Sequence, residues 1–219
     1  MYKNILVCFL FTGFDNTREL INFVKHYKKY SSGASHKLLI CFKLIDTKKI
    51  IYLRKHLKVI NYIEFIDPSD VNDYDFGSYK RVSKLYRNYN ILFLNSHSYP
   101  ITNSWLSKLL KHFNDKTLVA TSASYESLYT SLKLKKFYKF FSYLVKKIYY
   151  KKNFHSFPNP HIRTANFLIK GSDFLKFIKN KEINNKYDAW QIESGKNSLT
   201  DFFKLKNYKI FIVNSDGDR

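Results

Sequence analysis

Two carboxylates, Asp188 and Glu193, stand in the stretch DAWQIESGKNSLTDFF, followed by Gly195 and the hydroxyl residues Ser198 and Thr200. Acids are scarce in this chain, which has 17 Asp+Glu against 38 Lys+Arg, so their position here needs a reason. One reason is helix capping: Ser198 or Thr200 can accept from free backbone N–H groups, and nearby acids favour the positive helix end. The other is acid–base chemistry, with Glu193 as a general base.

The remaining chemistry-bearing types exclude several classes. Cys8 and Cys41 lie in the apolar runs ILVCFLF and LLICFKLI, so they read as small buried hydrophobes rather than a disulfide framework or a zinc site, and a reducing cytoplasm is the expected compartment. At 219 residues, 45% hydrophobic and 18% aromatic, the chain has the material for a full core despite a mean hydropathy of −0.37. The net charge of +21 points to an anionic partner such as nucleic acid, a membrane surface or a phosphorylated ligand, although a lysine-rich, Asn/Ile/Tyr/Phe-rich composition also arises from coding bias. The basic residues are spread over every segment and no recognised nucleic-acid-binding motif accompanies them. MYKNILVCFLFTGF imitates a signal peptide, but its apolar run is short and no small-residue cleavage pattern follows, so it reads as a first strand. No segment reaches the ~18 uninterrupted apolar residues of a spanning helix.

The elements that must position these residues alternate. NILVCFLFTG is a continuous apolar run, as in a strand buried on both faces, and DNTRELINFVKHYKKY opens with cap-type residues before apolar residues at helical spacing. HKLLICFKLI, KVINYIEFI and NILFLN read as further strands, with TKKIIYLRKHL and FGSYKRVSKLYRNY as the helices between them. PITNSWLSKLLKHF reads as a helix capped near Asn103 or Ser104, TLVATSAS as a fifth strand and YKIFIVNSDG as the last. This order predicts an α/β fold with a mostly parallel sheet and helices on both faces, whose ligands bind beyond the carboxyl ends of the strands. Residues 131–152, SLKLKKFYKFFSYLVKKIYYKK, hold eight lysines and seven aromatics, with apolar residues roughly on one helical face. We read residues 1–219 as one domain with this stretch as a basic aromatic helical insert.

The block YDFGSYKRVSKLYRNYNILFLNSHSYPITNSWLSKL resembles the central block of bacterial GT-A type glycosyltransferases, similar to family 2. In these a helix precedes a strand ending in an Asp-x-Asp element. The later stretch PHIRTANFLIKGSDFLKF…YDAWQIESGKNSLTDFF is similar to a subset carrying His-x-Arg-Thr and Glu-Ser-Gly elements. The likeness covers roughly residues 4–215, and residues 131–152 fit it least. It implies a Rossmann-like GT-A domain transferring a sugar from a nucleotide donor to a surface-polysaccharide or lipid-linked glycan acceptor.

By position, the resemblance implies that Glu193 is the general base that takes the acceptor hydroxyl's proton in an inverting transfer, at the start of the helix beneath the acceptor, with Asp188 as the reserve candidate. Thr12, Gly13, Asp46, Asp75, Gly77, Tyr79 and Arg81 fall where relatives hold base, ribose and phosphate. The Asp-x-Asp positions are occupied by Asn95 and His97, which weakens a Mg²⁺ or Mn²⁺ site by two carboxylates. His161 is a second candidate ligand, and Arg163 or Lys196 can neutralise diphosphate charge instead of a metal.

The charged insert adds a possible contact with an anionic inner membrane leaflet, lysines to the headgroups and aromatics into the interface. Two alternatives belong to other classes: a non-catalytic nucleic-acid-binding protein, and a degenerate transferase that keeps the fold without activity. The sequence stops at NSDGDR, close to where relatives of this type are expected to continue.

Overall fold

The computed structural model describes residues 4–219. Its first part repeats strand and helix: β1 (Ile5–Thr12), α1 (Thr17–Lys29), β2 (Lys37–Lys43), α2 (Thr47–Leu57), β3 (Ile63–Ile66), α3 (Tyr74–Leu85), β4 (Asn90–Leu94) and α4 (Trp105–Leu110). Then follow β5 (Thr117–Ala120), β6 (Ala123–Ser124), α5 (Phe140–Asn153), β7 (His161–Ile162), β8 (Asn166–Lys170), α6 (Gly171–Ile178), α7 (Lys186–Ser194), α8 (Leu199–Leu205) and β9 (Lys209–Ile212). Seven strands form one sheet in the order β3-β2-β1-β4-β8-β5-β9, while β6 and β7 pair separately. All neighbours in the large sheet are parallel except β8, which runs antiparallel between β4 and β5.

Alternation along β1 divides the interior in two. Val7, Phe9 and Phe11 face α1, α2 and α4, and Phe9 stacks on Phe23 of α1 at 3.9 Å between ring centroids. Leu6, Cys8 and Leu10 face α3, α6, α7 and α8, through Phe76, Tyr79, Phe174, Ile192 and Phe203. Both cysteines are buried and unpaired, as their apolar runs predict. With both faces covered, β1 and β2 have no solvent side, which explains their continuous apolar sequence.

The helix starts follow local side-chain chemistry. Asn16 caps α1 by accepting from Arg18 N, Asp46 caps α2 by accepting from Lys49 N, and Ser198 caps α8 by accepting from Asp201 N. The helix led by Pro100 and expected to be capped near Asn103 or Ser104 begins at Trp105 with Ser104 as its N-cap, in a left-handed conformation (φ 59°), and Asn103 accepts from Ser31 N. Two expectations change. TLVATSAS is two strands in different sheets, broken where Ser122 O accepts from Arg163 N. An unanticipated helix, α7, lies ahead of α8, so Glu193 sits in the last turn of one helix rather than at the start of the next.

Candidate active site

The carboxyl ends of β1 and β4 meet the turn between β7 and β8. At β1, Asp15 folds back so that its Oδ2 accepts from Thr12 N at 2.6 Å, and its Oδ1 accepts from Ser96 Oγ at 2.8 Å. Gly13 closes the crossing: its N–H donates to Lys43 O at 2.9 Å, and a Cβ there would lie 2.0 Å from Leu44 O, so no side chain fits. At β4, Asn95 Oδ1 accepts from His97 N and Ser98 Oγ, and Asn95 N donates to Ala165 O at 2.9 Å. These bonds join the two strand ends to the turn that follows β7.

That turn holds the acid raised by the sequence. Glu193 Oε1 accepts from both the backbone N and the hydroxyl of Thr164, each at 3.1 Å. The His-x-Arg-Thr and Glu-Ser-Gly elements, 29 residues apart from Thr164 to Glu193, are thereby in direct contact. One oxygen of Glu193 is held, its other oxygen makes no hydrogen bond among the described residues, and the side chain is half-buried. Gly195 follows, and a Cβ there would lie 2.7 Å from Gln191 O, so the chain leaves α7 through a space only glycine fits.

Asp75 enters from the first turn of α3. Among the described residues its carboxylate has no hydrogen-bond partner, and burial pushes its pKa from 3.8 up to about 6. Asp15 and Glu193 push it the same way, while Lys43 and His97 oppose them. A chain of net charge +21 thus gathers acidic groups at the ends of its central strands. Beside them His97 Nδ1 meets Glu19 Oε1 at 2.9 Å. Asp15, Glu19 and His97 are the one group of three or more His, Cys, Asp or Glu among the described residues whose ligand atoms can surround an ion, all lying within 4.8 Å of one another. Their fit to a divalent cation rests on one atom: Glu19 Oε2 is buried with no hydrogen-bond partner, so a hard oxygen donor is available there.

Other residues singled out in the sequence do different work. Tyr79 is fully buried against Phe93 and Phe167, and its hydroxyl has no partner among the described residues, so it is a core residue that cannot stack on a base. Arg81 is spent on Asp67 and Asp73, Lys43 pairs with Asp73, and Ser78 donates to Asp67; together they form an ion network under the α3 start. Those two aspartates hold the Arg81 guanidinium more firmly protonated than usual, although burial opposes them. Gly77 lies beneath the Asp73 carboxylate, where a Cβ would sit 1.9 Å from Asp73 Cγ, so the glycine serves this network and not a close approach of nucleotide.

Asp188 forms a capping box with Asn185, its Oδ2 accepting from the backbone N of Asn184 and Asn185. Asp46 is an exposed cap of α2. His161 is buried, with Nδ1 against Asn159 O at 2.7 Å, and among the described residues joins no ligand group. Arg163 points to the surface beside Glu126, and Lys196 Nζ donates to Lys151 O on α5. Thr12, Gly13, Asp75, Asn95, His97 and Glu193 are therefore the anticipated residues that the fold brings to the strand ends. Asp15, Glu19 and Thr164 are additional; the first two lie directly after β1, where ligands of such sheets bind, and this position was the signal for them.

Next to this constellation a cleft of about 370 Å³ runs between the β4 loop and the C-terminal segment, with His97, Ser98, Thr121, Asn166 and Asn214 among its lining. Its size suits a small ligand. Other clefts, such as that between α1 and α2 lined by Lys25, Lys28 and His56, lie away from the strand ends.

A doubly wound sheet interrupted by one antiparallel strand, with polar residues converging at its switch point, defines a Rossmann-like GT-A architecture. No family model matches the sequence, and no curated protein matches it. Solved structures match the fold. The mannosyltransferase PcManGT from Pyrobaculum calidifontis, in complex with GDP-Man and Mn²⁺, superposes with a TM-score of 0.56 at 6% identity, over 97% of this chain and 55% of that one. The apo glycosyltransferase GlyE from Streptococcus pneumoniae gives 0.52 at 12% identity, over 95% and 45%. The bifunctional IspDF from Campylobacter jejuni gives 0.51 at 14%, over 99% and 51%. The chain spans about half the length of these proteins, and the likeness is one of fold.

Proposed function

We propose that this protein is a glycosyltransferase that moves a sugar from a nucleotide-sugar donor to a glycan acceptor. The observation that carries this reading is the Thr164–Glu193 contact at the strand ends, which fixes one carboxylate oxygen and leaves the other free to accept a proton. Inverting transfer requires one such base on the acceptor side, while the donor phosphate departs from the opposite face of the sugar. Glu193 takes the acceptor hydroxyl's proton, and the Thr164 N–H and hydroxyl orient it. Asp188 is committed to its cap and is not a base in this scheme.

Donor binding falls to the β1 and β4 ends. Thr12, Gly13 and Asp75 line the nucleotide side, Asn95 holds the loop beside them, and Asp15, Glu19 and His97 would hold a divalent cation. When bound, that cation supplies the positive charge a departing diphosphate needs, in a place otherwise too acidic for it. The β1–α1 carboxylates would thus stand in for the Asp-x-Asp pair replaced by Asn95 and His97. The PcManGT complex with GDP-Man and Mn²⁺ supports a donor and metal of this class. Arg163 and Lys196, engaged elsewhere, take no part. The acceptor is a surface-polysaccharide or lipid-linked glycan, approached with peripheral contact at an anionic membrane.

The test is the thermal stability of the protein against UDP-, GDP-, dTDP- and CMP-sugars, with and without Mn²⁺, since a ligand that prefers the folded state raises its melting temperature. One nucleotide giving a selective, Mn²⁺-dependent rise supports the proposal. No rise with any donor, together with salt-sensitive oligonucleotide binding, would replace it with a nucleic-acid-binding role.

A further inference from the structure

Among the described residues no helix is long and apolar enough to cross a membrane, yet α5 and the turn before it carry a large uncovered apolar surface. Phe137, Phe141, Val145 and Ile148 recur at helical spacing and are 87%, 81%, 69% and 72% exposed. Around them Lys135, Lys136, Lys139, Lys147, Lys151 and Lys152 are all exposed. No Asp or Glu occurs between Glu126 and Asp173, so the segment that forms this surface carries no opposite charge of its own.

The opposite side of α5 is fixed to the body. Tyr150 is buried against Phe154 and Tyr187, and Tyr149 Oη accepts from Gln191 Nε2 at 2.7 Å. Lys196 N donates to Asn153 O at 2.9 Å, and Phe154 bridges to Gly195. Gln191, Gly195 and Lys196 flank Glu193 in sequence. The helix that displays the apolar stripe is therefore bonded to the segment that carries the base.

We propose that the outer face of α5 seats on an anionic lipid bilayer, and that this contact brings the Glu193 end of α7 to an acceptor anchored in that bilayer. The charge chooses the occupant. A protein partner or a second copy would need acids to meet the lysines, and a second copy would bring the same acid-free face, whereas an anionic leaflet supplies negative charge beside an apolar layer. Lysine stems extend along apolar surface with their ammonium groups at the headgroups, and the stripe enters between them. The acceptor part of this inference rests on the transferase reading; the bilayer contact does not.

Vesicle sedimentation tests it, comparing phosphatidylcholine alone with phosphatidylcholine containing phosphatidylglycerol. The full chain is expected to bind only the phosphatidylglycerol vesicles. Phe141→Ser with Ile148→Ser, and separately Lys147→Glu with Lys151→Glu, are each expected to lower the partition coefficient at least tenfold. Lys25→Glu with Lys28→Glu on α1 removes equal charge elsewhere and is expected to change it less than twofold. Equal losses in both charge-reversal variants, or no binding, would overturn the proposal. So would a dimer in light scattering that the Phe141/Ile148 variant dissolves, which would assign the face to a second copy. Circular dichroism on each variant separates lost binding from lost folding. Donor-induced stabilisation, measured on the same samples, fails separately if the transferase reading is the one at fault.

Discussion

Asp75→Asn is expected to stabilise the protein while impairing its donor site. Burial holds the Asp75 pKa at about 6 instead of 3.8. The folded state therefore binds this proton more tightly than the unfolded chain, so the stabilisation from protonated Asp75 is complete below pH 3.8 and is lost as pH rises through 6. At about 1.4 kcal/mol per tenfold change in proton affinity, the ionised carboxylate costs the fold about 3 kcal/mol at neutral pH. Asparagine has no charge to desolvate and removes that cost. For a chain of this size the gain corresponds to a melting temperature higher by about 6–12 °C at pH 7. The assay is thermal unfolding of both proteins from pH 3.5 to 8. Their difference is expected to be near zero at the acid end, to grow between pH 4 and 6, and then to level off. A difference independent of pH, or a variant less stable than wild type at pH 7, would refute the reasoning. Stabilisation with loss of donor binding would mark Asp75 as a residue kept at the expense of stability.

Tyr79→Phe removes a buried hydroxyl without a partner and is expected to be neutral or stabilising by about 1 kcal/mol in denaturant unfolding, with donor binding unchanged. Arg81→Ala leaves the buried Asp67 and its neighbour Asp73 short of a partner and is expected to destabilise by about 3–5 kcal/mol in the same measurement. Asp15→Asn is expected to weaken Mn²⁺ binding at least tenfold by calorimetry while preserving the melting temperature within a few degrees, because the amide oxygen still accepts from Thr12 N and the amide nitrogen donates to Ser96 Oγ, a hydroxyl that can accept as well as donate.

The sheet was legible wherever a strand is buried on both faces, because β1, β2 and β4 are unbroken apolar runs separated by capped helices. It was not legible at β8, where NFLIK is too short for period or propensity to assign, and its antiparallel insertion depends on long-range pairing with β4 and β5. Of the site, Glu193 was visible as an acid beside a glycine break, but its helix was not. The strong Ser198 cap drew the boundary to α8 and concealed α7. Tyr79 was misjudged against a signal already present: Phe76, Tyr79 and Val82 repeat at core spacing. Arg81, Lys43 and the aspartates pair across distances no local pattern reports. Asp15 read, with Asn16 and Thr17, only as a cap-type residue of the following helix, and Glu19 carried no motif of its own, although the carboxyl end of a central strand is where such folds bind ligands.

The most direct test of the central claim is nucleotide release from the donor that stabilises the protein, compared among wild type, Glu193→Gln and Asp188→Asn at saturating donor and acceptor. The account predicts that Glu193→Gln lowers kcat by about 10²–10⁴-fold with donor affinity intact, as loss of a general base should. It predicts that Asp188→Asn retains the wild-type rate wherever it remains folded. A Glu193→Gln enzyme turning over at the wild-type rate, or an Asp188→Asn enzyme as impaired as Glu193→Gln, would contradict it.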